Sequence, residues 1–321
     1  MKRDLIVAFI VLCFSCIAYA QDDYNIGNTS NINQIKRNNN ETENIVGEQF
    51  KFIPMWEWKK GMKFVVLPDK TNIGSHLPLK PCGHMPKRNE LAGKILQINK
   101  IEERQVSCPR GQCTRTYIGF EVDGSDVCYE YEYIGSKQEM KTSIAYSFQN
   151  IDGLRYVSDI DKLRKMLVGK TLYVMSRRWK GDRIAVAQAK KYIPAKIINV
   201  GYSTDTCCDT SIAFQTKDGV KAYFGFMLSG TNMPSYSRSY TSNGIDNFFS
   251  RKNPKNGYKG RDKMWDPIVK GVIQVGMTEE EVVWAWGKPT RINRSSYGPE
   301  QWVYGLQYLY FKKGICVGFN E

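Results

Sequence analysis

The sequence predicts a mainly β protein with a small α+β domain at its C-terminus. Two observations carry this reading. Short runs rich in β-branched and aromatic residues, separated by Gly- and Asp-containing turns, recur in one order twice between residues 49 and 231. A helix with both ends written into the sequence, followed by three strand-like runs, then closes the chain. The expected architecture is two small β-barrels followed by a helix on a three-stranded antiparallel sheet, and 321 residues are enough for several such units.

Residues 1–20 read as a signal peptide. Lys2 and Arg3 form a basic start, and "LIVAFIVLCFSCI" is an apolar run shorter than the ~20 residues that span a bilayer. Ala18-Tyr19-Ala20 places small residues for cleavage before Gln21. Lipid attachment at Cys16 is the alternative, with Cys13 standing where Leu is usual. The chain is therefore expected to be exported: periplasmic, outer-membrane-associated or secreted. Residues 21–48, dominated by Asn, Thr, Asp and Glu, have little to bury and read as a disordered spacer.

Residues 49–150 and 168–231 form the repeat. "GMKFVVL" (61–67) matches "GKTLYVM" (169–175), and "GKILQIN" (93–99) matches "AKIINVG" (195–201). "GFEVDGSDVCYEYEYIGS" (119–136) matches "AFQTKDGVKAYFGFMLSG" (213–230), with Phe120 and Phe214 each ahead of an Asp-Gly hairpin turn, Asp123-Gly124 and Asp218-Gly219. The order of strand, long loop, strand and hairpin resembles that of bacterial SH3-like barrels, so the resemblance implies two SH3-like β-barrels in tandem. Between them, residues 151–167 hold a linker helix: Ser158 reads as its cap, Ile160, Leu163 and Leu167 share a face, and Gly169 follows its end. Residues 232–264 read as a basic, aromatic linker.

Residues 265–321 form the C-terminal module. Thr278 and Glu281 fit a capping box, and Met277 and Val282 a hydrophobic staple. Val282, Val283 and Trp286 share an apolar face; Gly287 and Pro289 stop the helix. "EQWVYG" (300–305), "QYLYF" (307–311) and "ICVGF" (315–319) read as strands, and Trp286 is expected to pack at Trp302 and Tyr310. The pattern G-M-T-x-x-E-V, W-G-K-P, Q-W-V-Y and Y-L-Y-F resembles the SmpA/OmlA (BamE-like) outer-membrane assembly lipoproteins and related C-terminal modules of secreted Bacteroidetes proteins. The resemblance covers this module alone and implies a role in assembling outer-membrane proteins. The chain departs from it in showing no obvious first helix: "DPIVKGVIQV" carries a Gly and β-branched residues.

The net charge is +14, and residues 155–196 concentrate it, with twelve Lys/Arg against three Asp. Arg177, Arg178, Lys180, Arg183, Lys190 and Lys191 are the candidate anion-binding residues. Export makes nucleic acid a poor partner; lipid headgroups, acidic glycans and acidic proteins are the accessible anions. Seven Cys follow residue 20. Cys108 and Cys113 flank a tight turn and can close it as a disulfide; Cys207 and Cys208 are adjacent; Cys316 reads as a buried small apolar residue. A zinc site from Cys82, His84, Cys108 and Cys113 has no strong spacing behind it. No phosphate loop, nucleophile elbow or paired-carboxylate pattern is present, and no cofactor motif is found. The expected function is non-enzymatic: an envelope binding or scaffold module for a protein or glycan ligand. A thiol hydrolase using Cys82 and His84 is the alternative, with outer-membrane assembly a third reading.

Overall fold

The computed structural model describes residues 45–68, 77–82, 91–109, 111–122, 125, 127–142, 149–205, 207–234 and 244–320. The segment read as a signal peptide, most of the spacer, both histidines and Asp123-Gly124 lie outside them. The protein is mainly β: fifteen strands stand against five short α-helices among the described residues. No helix among them is long and apolar enough to cross a membrane.

The first sheet has strands β1 (Lys63–Val66), β2 (Leu79–Pro81), β3 (Ile95–Cys108), β4 (Gly111–Val122), β5 (Cys128–Tyr133) and β6 (Leu154–Tyr156), in the order β2-β5-β4-β3-β1-β6. Helix α1 (Lys137–Thr142) follows β5. The second sheet has β7 (Thr171–Val174), β8 (Ile193–Tyr202), β9 (Thr210–Thr216), β10 (Lys221–Phe226) and β11 (Phe249–Ser250), in the order β10-β9-β8-β7-β11. Helix α2 (Ser158–Leu167) precedes it, and α3 (Arg183–Ala187) joins β7 to β8. All pairings in both sheets are antiparallel.

The two sheets are built to one register. Phe64 lies opposite Leu96 and Leu96 opposite Val122; Leu172 lies opposite Ala195 and Ala195 opposite Thr216. Ile98 faces Phe120 and Ile197 faces Phe214, and a bulge follows each Ile. The Gly61 amide donates to the Ile98 carbonyl at 2.8 Å, and the Gly169 amide to the Ile197 carbonyl at 2.9 Å. Both glycines turn into their strands at positive φ, +90° and +85°, a region costly for any residue with a Cβ. At the outer edge, Val66 faces Leu154 and Val174 faces Phe249. The expected matches at β1/β7 and β4/β9 coincide with this ladder. The match of 93–99 with 195–201 is three residues out of register, because Leu96, not Gly93, occupies the rung of Ala195. The shared G/A-K-I lettering is overruled by the two neighbouring strands that fix each rung.

Each sheet has its own core, and the boundaries move accordingly. Phe64, Leu96, Ile98, Phe120 and Leu154 fill the first. Ile197, Phe214, Phe224, Phe249 and three residues of α2, Ile160, Leu163 and Leu167, fill the second. Helix α2 is thus part of the second core rather than a linker. Its N-cap is Val157, with no side-chain cap, so the capping assigned to Ser158 is corrected. The segment 232–264 is not a plain linker either: β11 completes the second sheet, and Tyr258 and Met264 belong to the third core. The spacer ends earlier than expected, since Ile45 and Phe50 are buried in the second core and the Ile45 amide donates to Asp246.

The C-terminal module contains α4 (Trp265–Lys270), α5 (Glu279–Trp286) and a four-stranded sheet, β12 (Arg291–Asn293), β13 (Glu300–Tyr304), β14 (Gln307–Lys312) and β15 (Ile315–Asn320), in sequence order. Two expectations are corrected. A helix does precede Gly276, because Gly271 ends α4 as a left-handed C-cap at φ +67° rather than interrupting it. A fourth strand, β12, was too short to register. The capping box is complete: the Glu281 amide donates to the Thr278 hydroxyl at 3.2 Å, and the Thr278 amide to the Glu281 carboxylate at 2.9 Å. Met277 and Val282 are fully buried in the module core. Gly287 carries positive φ, but its ψ of −170° is not the left-handed helical cap expected, and Pro289 follows in the turn to β12. Trp286 is half-buried; it stacks edge-on against Tyr304 and donates to the Gly271 carbonyl at 2.8 Å. It is therefore not at Trp302 and Tyr310: Trp302 packs on Phe311, and the Tyr310 hydroxyl accepts from Gln301.

Candidate functional site

The six cations singled out from the sequence do not form one patch. Lys180 is paired with Asp205 at 2.5 Å, and Lys190 lies 3.7 Å from Asp218. Arg178 and Arg183 are exposed on the β7–β8 connection. Only Arg177 and Lys191 converge, and they do so where the second sheet meets the C-terminal module. The Lys191 amide donates to the Val269 carbonyl at 3.1 Å, and an Arg177 nitrogen donates to the Lys270 carbonyl at 2.9 Å. Gly271 makes this approach feasible, since a Cβ there would collide with the Arg177 guanidinium.

Lys191 is the unusual member. It is only 9% exposed, and no carboxylate among the described residues lies within ion-pairing distance. Its amine sits 4.6 Å from the centre of the Tyr192 ring, a cation–π contact. Burial, aided by the nearby Arg177 charge, pushes the Lys191 amine down to about 7. A buried amine near neutral pKa beside a second cation favours a ligand that brings negative charge.

The Tyr192 ring in turn belongs to an aromatic cluster. Tyr192 stacks on Trp265 at 5.7 Å and meets Trp284 edge-on at 5.4 Å. Tyr258 closes the group against Trp265 and Trp284. The Tyr192 hydroxyl donates to the Trp284 carbonyl at 3.2 Å. Tyr192, Trp265 and Trp284 remain half-buried. Sequence reading singled out none of the four rings: Trp265 lies in α4 and Trp284 in α5, Tyr192 just ahead of β8 and Tyr258 ahead of α4, and they share no periodicity.

Tyr192 also holds a strained backbone, with φ +61°. The equivalent residue of the first repeat is Gly93, at φ +75°: each amide donates to the last residue of the preceding strand, Gly93 to Val66 and Tyr192 to Val174. A bulky side chain at this φ costs about 1–3 kcal/mol, and such strain persists where the surroundings fix it. The fold calls for Gly here, and this repeat carries a Tyr.

The remaining predicted sites fall elsewhere. Cys108 and Cys113 are bonded across the tip of the β3–β4 hairpin. Cys82 is bonded to Cys128, which removes it as a free nucleophile and as a zinc thiolate; His84 lies outside the described residues. That pairing could not be read from the sequence, because only the β2–β5 ladder brings the two together. No cluster of three or more metal-ligating side chains occurs among the described residues. Glu281 of the helix motif is structural: burial would raise its carboxyl, but Arg261 and the Thr278 and Arg261 amides outweigh this and hold it at about 2. Protein-family models, curated proteins and solved structures were each compared with the chain, and none matches.

Proposed function

We propose that this chain is an exported, non-enzymatic envelope protein that binds an anionic ligand, a protein or a glycan, at the seam between its second repeat and its C-terminal module. Each repeat is read as an SH3-like barrel, and the final module as an SmpA/OmlA-like platform. The observation that carries the reading is Lys191: a buried amine without a carboxylate partner among the described residues, flanked by Arg177 and by half-buried rings. A carboxylate-bearing sugar suits this set best. Its acid group would supply the missing counter-charge, and its ring would lie on an aromatic face.

The reading is tested by pull-down from envelope extracts with the full chain and with Lys191→Met, alongside titration with galacturonate oligomers and neutral maltooligosaccharides. The acidic oligomer should bind and the neutral one should not, and Lys191→Met should lose the acidic oligomer. Equal binding of both sugars, or binding that survives Lys191→Met, would remove the seam as the site. A second reading, support for outer-membrane protein assembly, draws on α4: with it the module has helices ahead of its sheet, and the departure from the lipoprotein pattern noted in the sequence falls away.

A further inference from the structure

The tip of the β8–β9 hairpin holds a second reactive arrangement, independent of the seam. Cys207 and Cys208 are both unbonded, and their sulfurs lie 3.3 Å apart. Cys207 is half-buried and Cys208 buried. Lys180 reaches in from the β7–β8 connection to pair with Asp205, whose carbonyl accepts from Arg155 at 3.2 Å. Gly225 of β10 leaves room for the group: a Cβ there would stand 3.3 Å from both the Asp205 carboxylate and the Cys208 sulfur. The equivalent hairpin of the first repeat also carries two cysteines, but there the pair is closed.

The geometry points to Cys207 and Cys208 as a thiol–disulfide exchange site, with Cys207 the attacking thiolate, Cys208 the resolving thiol, and an external disulfide as co-substrate. The asymmetry of the two sulfurs assigns the roles. The hydrogen bond from Cys208 and the Lys180 charge lower the Cys207 thiol to about 6, against burial and Asp205. Its hydrogen bond to Cys207, then burial, raises the Cys208 thiol. In the first step the Cys207 thiolate attacks one sulfur of R–S–S–R′, forming Cys207–S–S–R and releasing R′–S⁻. In the second, Cys208 gives up its proton to the released thiolate and attacks the Cys207 sulfur. The Cys207–Cys208 bond forms and R–S⁻ leaves. Two electrons pass to the external disulfide, and the protein is left with a closed vicinal ring. Adjacent Cα atoms lie about 3.8 Å apart, below the roughly 4.4–6.8 Å usual across a disulfide. The ring is therefore strained, and a substrate dithiol reopens it by the reverse steps.

Oxidised glutathione is the probe. The full chain is mixed with it, quenched with acid, weighed intact by mass spectrometry and mapped by peptide. The native chain should show a transient glutathionyl adduct on Cys207, giving way to a species two hydrogens lighter. In Cys208→Ser the adduct should form and persist at least roughly tenfold longer, because the resolving thiol is gone. Cys207→Ser should take no adduct. The native chain alone supplies a further readout: the rate of adduct formation should rise through about pH 6 rather than about 8.5, the ordinary thiol value. An adduct that the native chain keeps as long as Cys208→Ser, a first adduct on buried Cys316, or a rate that rises only near pH 8.5 would overturn the assignment.

Discussion

The two repeats follow one ladder, and one backbone corner on it is built differently in each. Ahead of β3 the corner is Gly93; ahead of β8 it is Tyr192, in the same left-handed conformation and making the same amide contact. In the first repeat the corner is only a turn. In the second it carries a ring that joins the sheet to Trp265 and Trp284 and lies beside a buried amine. A corner at positive φ accepts Gly without strain, so a departure from Gly there needs a separate reason. The ring supplies one, since it helps build the seam.

Substitutions in the shared scaffold should cost the most stability. Phe120 and Phe214 are fully buried on equivalent rungs, so Phe120→Ala and Phe214→Ala should each cost about 3–5 kcal/mol. Hydrogen exchange should show protection lost first in the sheet that carries the change. A negligible effect in one repeat and a large one in the other would break the equivalence.

Next is the cost of Lys191. Its amine titrates lower in the folded chain than in the unfolded one, so charging it opposes folding. The cost is fully present below about pH 7 and fades between there and about 10.4. Lys191→Met should therefore stabilise the protein by about 2–4 kcal/mol at pH 6, with the gain shrinking as pH rises toward 10. Thermal unfolding across that range checks both sign and slope.

Two smaller changes probe the corner and the helix cap. A Cβ on Gly93 would meet nothing within 4 Å, so Gly93→Ala isolates the backbone term and should cost about 1–2 kcal/mol. A cost near zero would mean that Tyr192 is not strained. Thr278→Ala removes one side of the capping box and should cost about 1 kcal/mol, seen as a lower melting temperature of the full chain.

Much of the scaffold was legible because it depends on local pattern. Phe120 and Phe214, the paired Gly-led strands, and the Thr278–Glu281 cap are each spelled out within a few residues. What was not legible depends on distant partners. Strand β11 is two residues long and exists because β7 offers an edge; β12 exists because β13 does. Helix α4 was dismissed on account of Gly271, the residue that ends it. At the seam, basic composition drew attention to Arg177 and Lys191, but equally to Lys180 and Lys190, which are paired elsewhere. Only the fold separates a neutralised Lys from a buried one. Tyr192 could have been found by carrying the repeat to its corner, where a correct register sets it against Gly93.

An anion held at the seam through Lys191 must bind in a pH-dependent way. Calorimetric titration of the full chain with galacturonate oligomers, whose own charge is constant above pH 5, should give strong binding at pH 6. Affinity should fall as pH rises past about 7, as the free chain's Lys191 loses its proton. Binding of equal strength at pH 6 and pH 9 would mean that Lys191 does not hold the anion.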